Sequence, residues 1–146
     1  MTAVTAHTFK VEGVSNVRVL IVDDQAPFRD AARAVVERAA GFDLIAEAES
    51  GEAAVAAVDS DGPDLVLMDI NMGGISGIEA AMQITEAHPE VTIFLLSTYN
   101  VEDLPPDVAE CGAAAYLNKE EFGGRLLKKT WESGGQDGWR KRLVSN

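Results

Sequence analysis

The side chains of this chain that could do chemistry together each follow a short apolar run. They are Asp23 and Asp24 after residues 17–22, Asp69 after 64–68, Ser97 after 91–96, and Lys119 after 115–118. If these runs are parallel strands of one sheet, their carboxyl ends meet at one edge and the five side chains lie close together. Three crowded carboxylates repel one another, which calls for a divalent cation. A lysine and a hydroxyl group facing that cation suit a phosphoryl group.

This set of side chains predicts a carboxylate that accepts phosphate. A carboxylate can attack a phosphoryl group and form an acyl phosphate. Asp69 is the best candidate for the nucleophile, because it ends a central strand and precedes a glycine-rich loop at 71–77 that lets a partner approach. Lys119 would then pair with one phosphoryl oxygen, and Ser97 would donate a hydrogen bond to another.

The same edge of the sheet offers oxygen ligands for Mg²⁺. We expect Asp24 and Asp69 to hold the ion together with the backbone carbonyl of Asn71, while Asp23 stands behind Asp24. Mg²⁺ commonly uses one or two carboxylates, phosphate oxygens and several waters, so this ligand set is adequate.

Strand and helix patterns alternate along the chain. Five short apolar runs are separated by segments whose apolar residues recur at helical spacing, which predicts five strands and five helices. This alternation indicates an α/β fold, a doubly wound parallel sheet with helices on both faces. We expect the flavodoxin-like strand order 2-1-3-4-5, with Asp23, Asp24 and Asp69 at the switch point between strands 1 and 3.

Three of the predicted helices carry residue-level expectations. The first opens at Pro27, and its predicted apolar stripe is Phe28, Ala31, Val35 and Ala39. The apolar positions predicted for the third helix are Ile78, Ala81, Met82 and Thr85. The fourth is a short helix that begins at Pro105 and Pro106 and ends near Cys111.

Composition limits the class of protein. The 146 residues suit one domain at 17–132, with a leader at 1–16 and a linker-like tail at 133–146. Twenty-four acids against twelve bases give a formal charge of −12, so we expect no direct nucleic-acid binding by this chain and no attraction to anionic membranes. A single cysteine excludes an internal disulfide and fits a cytoplasmic setting. No stretch approaches the ~20 apolar residues of a membrane span.

Three stretches carry a resemblance to a known family. They are residues 67–72, 96–99 and 112–119. Together with the acidic pair, they make the chain similar, from about Val17 to Leu127, to a response regulator receiver domain of two-component signalling, in the NarL/FixJ branch. Two departures are Gly73 and Glu120, which stand where the family often has proline. Glycine adds backbone freedom to the loop beside Asp69.

The resemblance implies a role for each residue of the set. The roles are phosphoacceptor for Asp69, Mg²⁺-binding acids for Asp23 and Asp24, switch hydroxyl for Ser97, aromatic switch for Tyr116, and phosphoryl-binding lysine for Lys119. Phosphorylation would pull Ser97 inward and let Tyr116 follow. That change would reshape the face built from the fourth helix, the fifth strand and the fifth helix.

The resulting hypothesis is a signalling phosphoacceptor rather than an enzyme. A histidine kinase or phosphotransfer protein would phosphorylate Asp69, and the altered surface would bind a downstream protein or a second copy of the chain. One alternative is the receiver piece of a longer helix-turn-helix transcription regulator, which the glycine-rich segment at 133–138 permits. Another is an aspartyl-nucleophile phosphatase of the haloacid dehalogenase type. Those enzymes carry a second aspartate two residues after the first, and position 71 here is asparagine.

Overall fold

The computed structural model describes residues 16–134. Within this range, five strands alternate with four α-helices, and two short 3-10 helices lie between the last two strands. In chain order the elements are β1 (Val17–Val22), α1 (Ala26–Arg38), β2 (Phe42–Ala48), α2 (Gly51–Asp61), β3 (Leu65–Asp69), α3 (Gly77–Ala87), β4 (Thr92–Ser97), the 3-10 helices Val101–Asp103 and Pro106–Glu110, β5 (Ala115–Asn118) and α4 (Gly124–Glu132). The strands are parallel and stand in the order β2-β1-β3-β4-β5, which confirms the predicted flavodoxin-like sheet.

The core lies on both faces of the sheet. Successive strand residues point to opposite faces, so Leu20 and Val66 pack under α2 and α3, whereas Ile21 and Leu67 pack under α1 and α4. Helices must cover both faces of the sheet, because the central strands carry apolar side chains on both faces. Among the helices of residues 16–134, none is long and apolar enough to cross a membrane.

The start of α3 is pressed against the end of β3. Ser76 caps the helix by accepting a hydrogen bond from the Glu79 amide at 3.1 Å, and the Gly77 amide donates to the Ile70 carbonyl at 2.9 Å. A Cβ on Gly77 would lie 2.0 Å from the Asp69 carbonyl oxygen. Only glycine therefore allows this approach, which ties α3 directly to the strand that ends in Asp69.

The prediction of five helices was wrong by one. The chain between β4 and β5 forms only the two 3-10 helices instead of a fourth α-helix. Pro105 and Pro106 have no backbone N–H to donate, and Gly112 follows with a left-handed φ of 95°. The few residues between these breakers are too short a run for stable α-helical turns.

Two side chains predicted to be buried on helices are exposed. In α1 the buried positions are Ala32 and Val36, and Ala31 faces solvent. Arg29 and Arg33 of the same helix both form ion pairs with Glu47 of β2. These ion pairs set the rotation of α1 about its own axis, which cannot be predicted from the spacing of the apolar residues alone. In α3, Met82 is also exposed.

Candidate functional site

The carboxyl edge of the sheet brings together side chains from three strand ends. The Lys119 ammonium group follows β5 and lies 2.7 Å from Asp23 Oδ2, beyond β1, and 3.2 Å from Asp69 Oδ1, at the end of β3. Asp23 is fully buried and Asp69 is 5% exposed. A buried charge is costly unless it is paired, so this ammonium group compensates two carboxylates at once.

Asp23 is held from several directions. Its Oδ1 accepts a hydrogen bond from the Gln25 amide at 2.9 Å, and its backbone carbonyl accepts one from the Arg29 guanidinium at 2.8 Å. Asp23 Oδ2 is buried and pairs with the Lys119 ammonium group at 2.7 Å. Lys119 thus supplies the positive charge that this buried carboxylate oxygen requires.

The acidic cluster fits a divalent cation. Oxygens of Asp23, Asp24 and Asp69 lie within 4.8 Å of one another, and Asp24 is exposed while the other two are buried. Carboxylate oxygens are the donors that Mg²⁺ prefers, and an exposed member leaves the site open to water and to phosphate oxygens. Asn71 is also exposed, and its backbone N–H acts to lower the pKa of the nearby Asp69 carboxylate.

The electrostatic setting of Asp69 differs from that of an ordinary surface aspartate. Burial and the nearby charge of Asp23 raise the pKa of Asp69 to about 6, although Lys119 and the Asn71 amide act in the opposite direction. Burial lowers the pKa of Lys119, but the Asp23 and Asp69 carboxylates outweigh burial and the net shift is upward. At neutral pH the pair is therefore a carboxylate beside an ammonium group.

The predicted switch residues lie side by side at the ends of β4 and β5. Ser97 is buried, and its hydroxyl oxygen accepts a hydrogen bond from the Tyr99 amide at 3.2 Å. Tyr116 is 6% exposed, and its hydroxyl group donates to the backbone carbonyls of Ser97 and Tyr99. Burial raises the pKa of Tyr116, so its hydroxyl stays protonated and remains a donor. The aromatic side chain thus points inward and is tied to the backbone of β4 and the segment after it.

Sequence reasoning missed two residues of this site. Phe28 was expected only to fill the core, yet the Lys119 ammonium group lies 4.5 Å from the centroid of its ring. Arg29 was not among the site residues singled out from the sequence, yet its guanidinium group donates a hydrogen bond to the Asp23 backbone carbonyl. The available signal was their position in the first turn of α1, directly after the acidic pair, because that turn must pass over the carboxyl edge of the sheet.

Comparison with known proteins points to one family. The model of the response regulator receiver domain matches residues 19–130. The transcriptional regulatory protein YdfI of Bacillus subtilis is 41% identical over 103 residues, which are 70% of this chain and 48% of that protein. The response regulator UvrY of Escherichia coli is 38% identical over 103 residues, which are 70% of this chain and 47% of that protein. The chain thus spans about half the length of these curated relatives.

Solved structures share the fold. A two-component response regulator of the LuxR family from Aurantimonas sp. matches with a TM-score of 0.77 at 24% identity, over 90% of this chain and 97% of that chain. A chain of the CheX–CheY–BeF3–Mg complex of Borrelia burgdorferi matches with a TM-score of 0.73 at 26% identity, over 82% of this chain and 90% of that chain.

Proposed function

The chain belongs to the response regulator receiver family of two-component signalling, and from this premise we propose that Asp69 is its phosphoacceptor. The observation that carries the proposal is the Lys119 ammonium group, which lies within 3.2 Å of Asp69 and 2.7 Å of the buried Asp23. An ammonium group in this position can pair with the Asp69 carboxylate before transfer and with a phosphoryl oxygen after transfer, so it stabilises the negative charge in both states.

The proposed reaction is a transfer from a histidine kinase or phosphotransfer protein. One Asp69 oxygen attacks phosphorus, the new O–P bond forms, and the P–N bond to the donor imidazole breaks. The electron pair of the broken bond stays on the leaving nitrogen, and the imidazole leaves neutral because its other ring nitrogen carries a proton during the transfer. Lys119 pairs with a phosphoryl oxygen throughout, and Asp23 keeps the ammonium group in place. We expect no other catalytic turnover than this transfer and the later hydrolysis of the acyl phosphate.

Mg²⁺ is the cofactor that the residues fit. We propose that Asp24, Asp69 and the Asn71 carbonyl hold it and that the buried Asp23 completes the negative site. Bound there, the ion would neutralise negative charge on the phosphoryl oxygens and on the carboxylates that face them. The family-wide association of receiver domains with Mg²⁺ supports this assignment.

The proposed output is a change of protein surface. In the unphosphorylated structure the Ser97 hydroxyl oxygen accepts a hydrogen bond from the Tyr99 amide. When Asp69 is phosphorylated, the Ser97 hydroxyl group turns to the phosphoryl group and this hydrogen bond breaks. Tyr116, which binds the carbonyls of Ser97 and Tyr99, follows. The altered face around β5, α4 and the 3-10 helices then recruits a downstream protein or a second copy of the chain. We expect this to happen in the cytoplasm.

Small-molecule phosphorylation tests the proposal. With acetyl phosphate and Mg²⁺, the intact mass of the protein should rise by one phosphoryl group, because acetyl phosphate can replace the protein donor. Asp69→Asn should abolish the rise while circular dichroism shows that the fold is kept. A mass rise that survives the substitution would remove Asp69 from the proposed role.

A second candidate is supported by the length comparison. Because the chain spans about half of relatives such as YdfI and UvrY, it could be the receiver part of a longer DNA-binding regulator. Its phosphorylation would then control a separate output domain. A reading frame that continues past residue 146 into a helix-turn-helix domain would establish this alternative, and a stop codon at that point would reject it.

A further inference from the structure

A groove lies close to the acidic cluster. Its volume is about 800 Å³, and it runs between α3 and the segment that links β4 to β5. Its lining includes Ile70 and Asn71, the two residues directly after Asp69. The groove is therefore next to the site of phosphoryl transfer but is formed by different side chains.

The walls of the groove expose large apolar side chains. Met82 of α3 is 49% exposed and Tyr99 is 50% exposed, and these are the exposed large hydrophobic residues of the described part of the chain. Both line this groove, together with the buried Leu104 and Ile78. Single exposed apolar residues are common on protein surfaces, but two that line the same groove offer a bound partner a continuous apolar contact surface.

The rim of the groove is acidic. Four carboxylates line it, and in the part of the chain that the structure describes no lysine, arginine or histidine does. The four are Glu79, Glu86, Asp103 and Asp107. A cleft lined by one sign of charge attracts ligands of the opposite sign and repels those of the same sign.

We propose that this groove docks a basic amphipathic segment of a partner protein. An apolar side chain of the segment sits between Met82 and Tyr99, and its lysine or arginine side chains pair with the acidic rim. An amphipathic segment lying in a hydrophobic groove is a common mode of peptide recognition, and here the charge of the rim selects the partner.

The groove is connected to the switch residues through Tyr99. The Tyr99 amide donates to Ser97, and its carbonyl accepts from the Tyr116 hydroxyl. If the Ser97 hydroxyl group turns away on phosphorylation, Tyr99 loses the hydrogen bond from its amide to Ser97, which helps to fix its position in the groove wall. Occupation of the groove and phosphorylation of Asp69 are then linked reciprocally. This link rests on the proposed function, whereas the groove itself does not.

A peptide titration followed by NMR tests the groove in unphosphorylated protein. The probe is a short capped peptide with lysines on either side of a central pair of leucines, and its control carries glutamate in place of lysine. We expect the lysine peptide to shift the amide signals of Met82 and Tyr99, and the glutamate peptide to leave them unchanged. In Glu86→Lys/Asp107→Lys protein, affinity for the lysine peptide should fall roughly tenfold or more.

A matched variant separates groove binding from attraction to a generally acidic protein. Glu37→Lys/Glu132→Lys changes the net charge equally but lies on α1 and α4, which cover the opposite face of the sheet. This variant should keep the wild-type affinity. The proposal is overturned if the lysine peptide does not bind, if both peptides bind equally, or if the two double variants weaken binding to the same extent.

The reciprocal link is tested by repeating the titration after treatment with acetyl phosphate and Mg²⁺, with intact mass recorded on the same sample. We expect the affinity of the lysine peptide to change by about fivefold or more in phosphorylated protein. An unchanged affinity in a sample that carries the added mass would reject the link. Absence of the added mass would instead count against the proposed phosphoacceptor.

Discussion

Lys119 is held by two kinds of interaction at once. Its ammonium group pairs with the Asp23 and Asp69 carboxylates and also lies over the ring of Phe28. The carboxylates supply charge, whereas the ring limits the directions in which the ammonium group can move. Phe28 in turn packs against Phe122, with ring centroids 6.2 Å apart, so this side of the site is fixed by packing.

Replacing the ring under Lys119 should slow phosphorylation modestly. A cation–π contact at a partly exposed site contributes ~0.5–1 kcal/mol, so Phe28→Leu should reduce the rate of phosphorylation by acetyl phosphate about two- to fivefold. Phe28→Tyr keeps the ring and should retain most of the rate. The measurement is the time course of the mass increase. Equal rates for both variants would show that the ring does not position Lys119.

The close approach of α3 to β3 should make Gly77 sensitive to substitution. A Cβ there would lie 2.0 Å from the Asp69 carbonyl oxygen, and backbone at both sides must shift to relieve the overlap. We expect Gly77→Ala to lower the free energy of unfolding by roughly 1–3 kcal/mol, measured by urea denaturation.

Gly73 in the preceding loop provides the control for Gly77. Nothing lies within 4 Å of a Cβ added at Gly73, so Gly73→Ala should change the free energy of unfolding by less than about 0.5 kcal/mol. If Gly77→Ala proved as harmless as Gly73→Ala, the contact between α3 and β3 would not be as tight as described.

The C-terminal ends of α2 and α3 are joined by an ion pair that depends on pH. His88 Nε2 lies 2.6 Å from Asp59, and Nδ1 lies 3.6 Å from Glu90. The hydrogen bond with Asp59 is the main cause that raises the pKa of His88 above 6.5. A histidine whose pKa is raised by folding stabilises the protein below its unfolded-state pKa, and the contribution is lost as the pH rises through the folded-state pKa.

His88→Gln should therefore be more destabilising in acid than in base. Urea denaturation at about pH 5.5 should show a larger difference between wild type and variant than denaturation at about pH 8. A difference that stays constant or grows toward pH 8 would contradict the assigned ion pair.

At the level of elements, the strand ends were easier to predict than the helices. Each strand is a short apolar run followed by a polar residue, so Asp69 and Lys119 could be placed at the sheet edge from the sequence. The 3-10 helices before β5 were mistaken for an α-helix, because the two prolines were interpreted as a helix start, although the few residues between them and Gly112 are too short a run for α-helical turns. The contact of Phe28 with Lys119 depends on how α1 crosses the sheet, which single-sequence periodicity does not specify.

Over the whole molecule, negative charge dominates both surfaces for which we propose a function. The chain carries a formal charge of −12, with three carboxylates clustered at the sheet edge and four around the groove. Such a surface favours cations and basic segments over nucleic acid. In a regulator that also binds DNA, the contact with DNA would therefore come from a separate domain, as the length of the curated relatives allows.

Chemical mapping of the phosphorylated residue tests the central claim most directly. Protein treated with acetyl phosphate and Mg²⁺ is reduced with borohydride, which converts an aspartyl phosphate to homoserine, and is then digested and sequenced by mass spectrometry. We predict homoserine at position 69, and unmodified aspartate at positions 23 and 24. Homoserine at either acid of the pair, or a phosphorylated protein that yields no homoserine, would contradict the account.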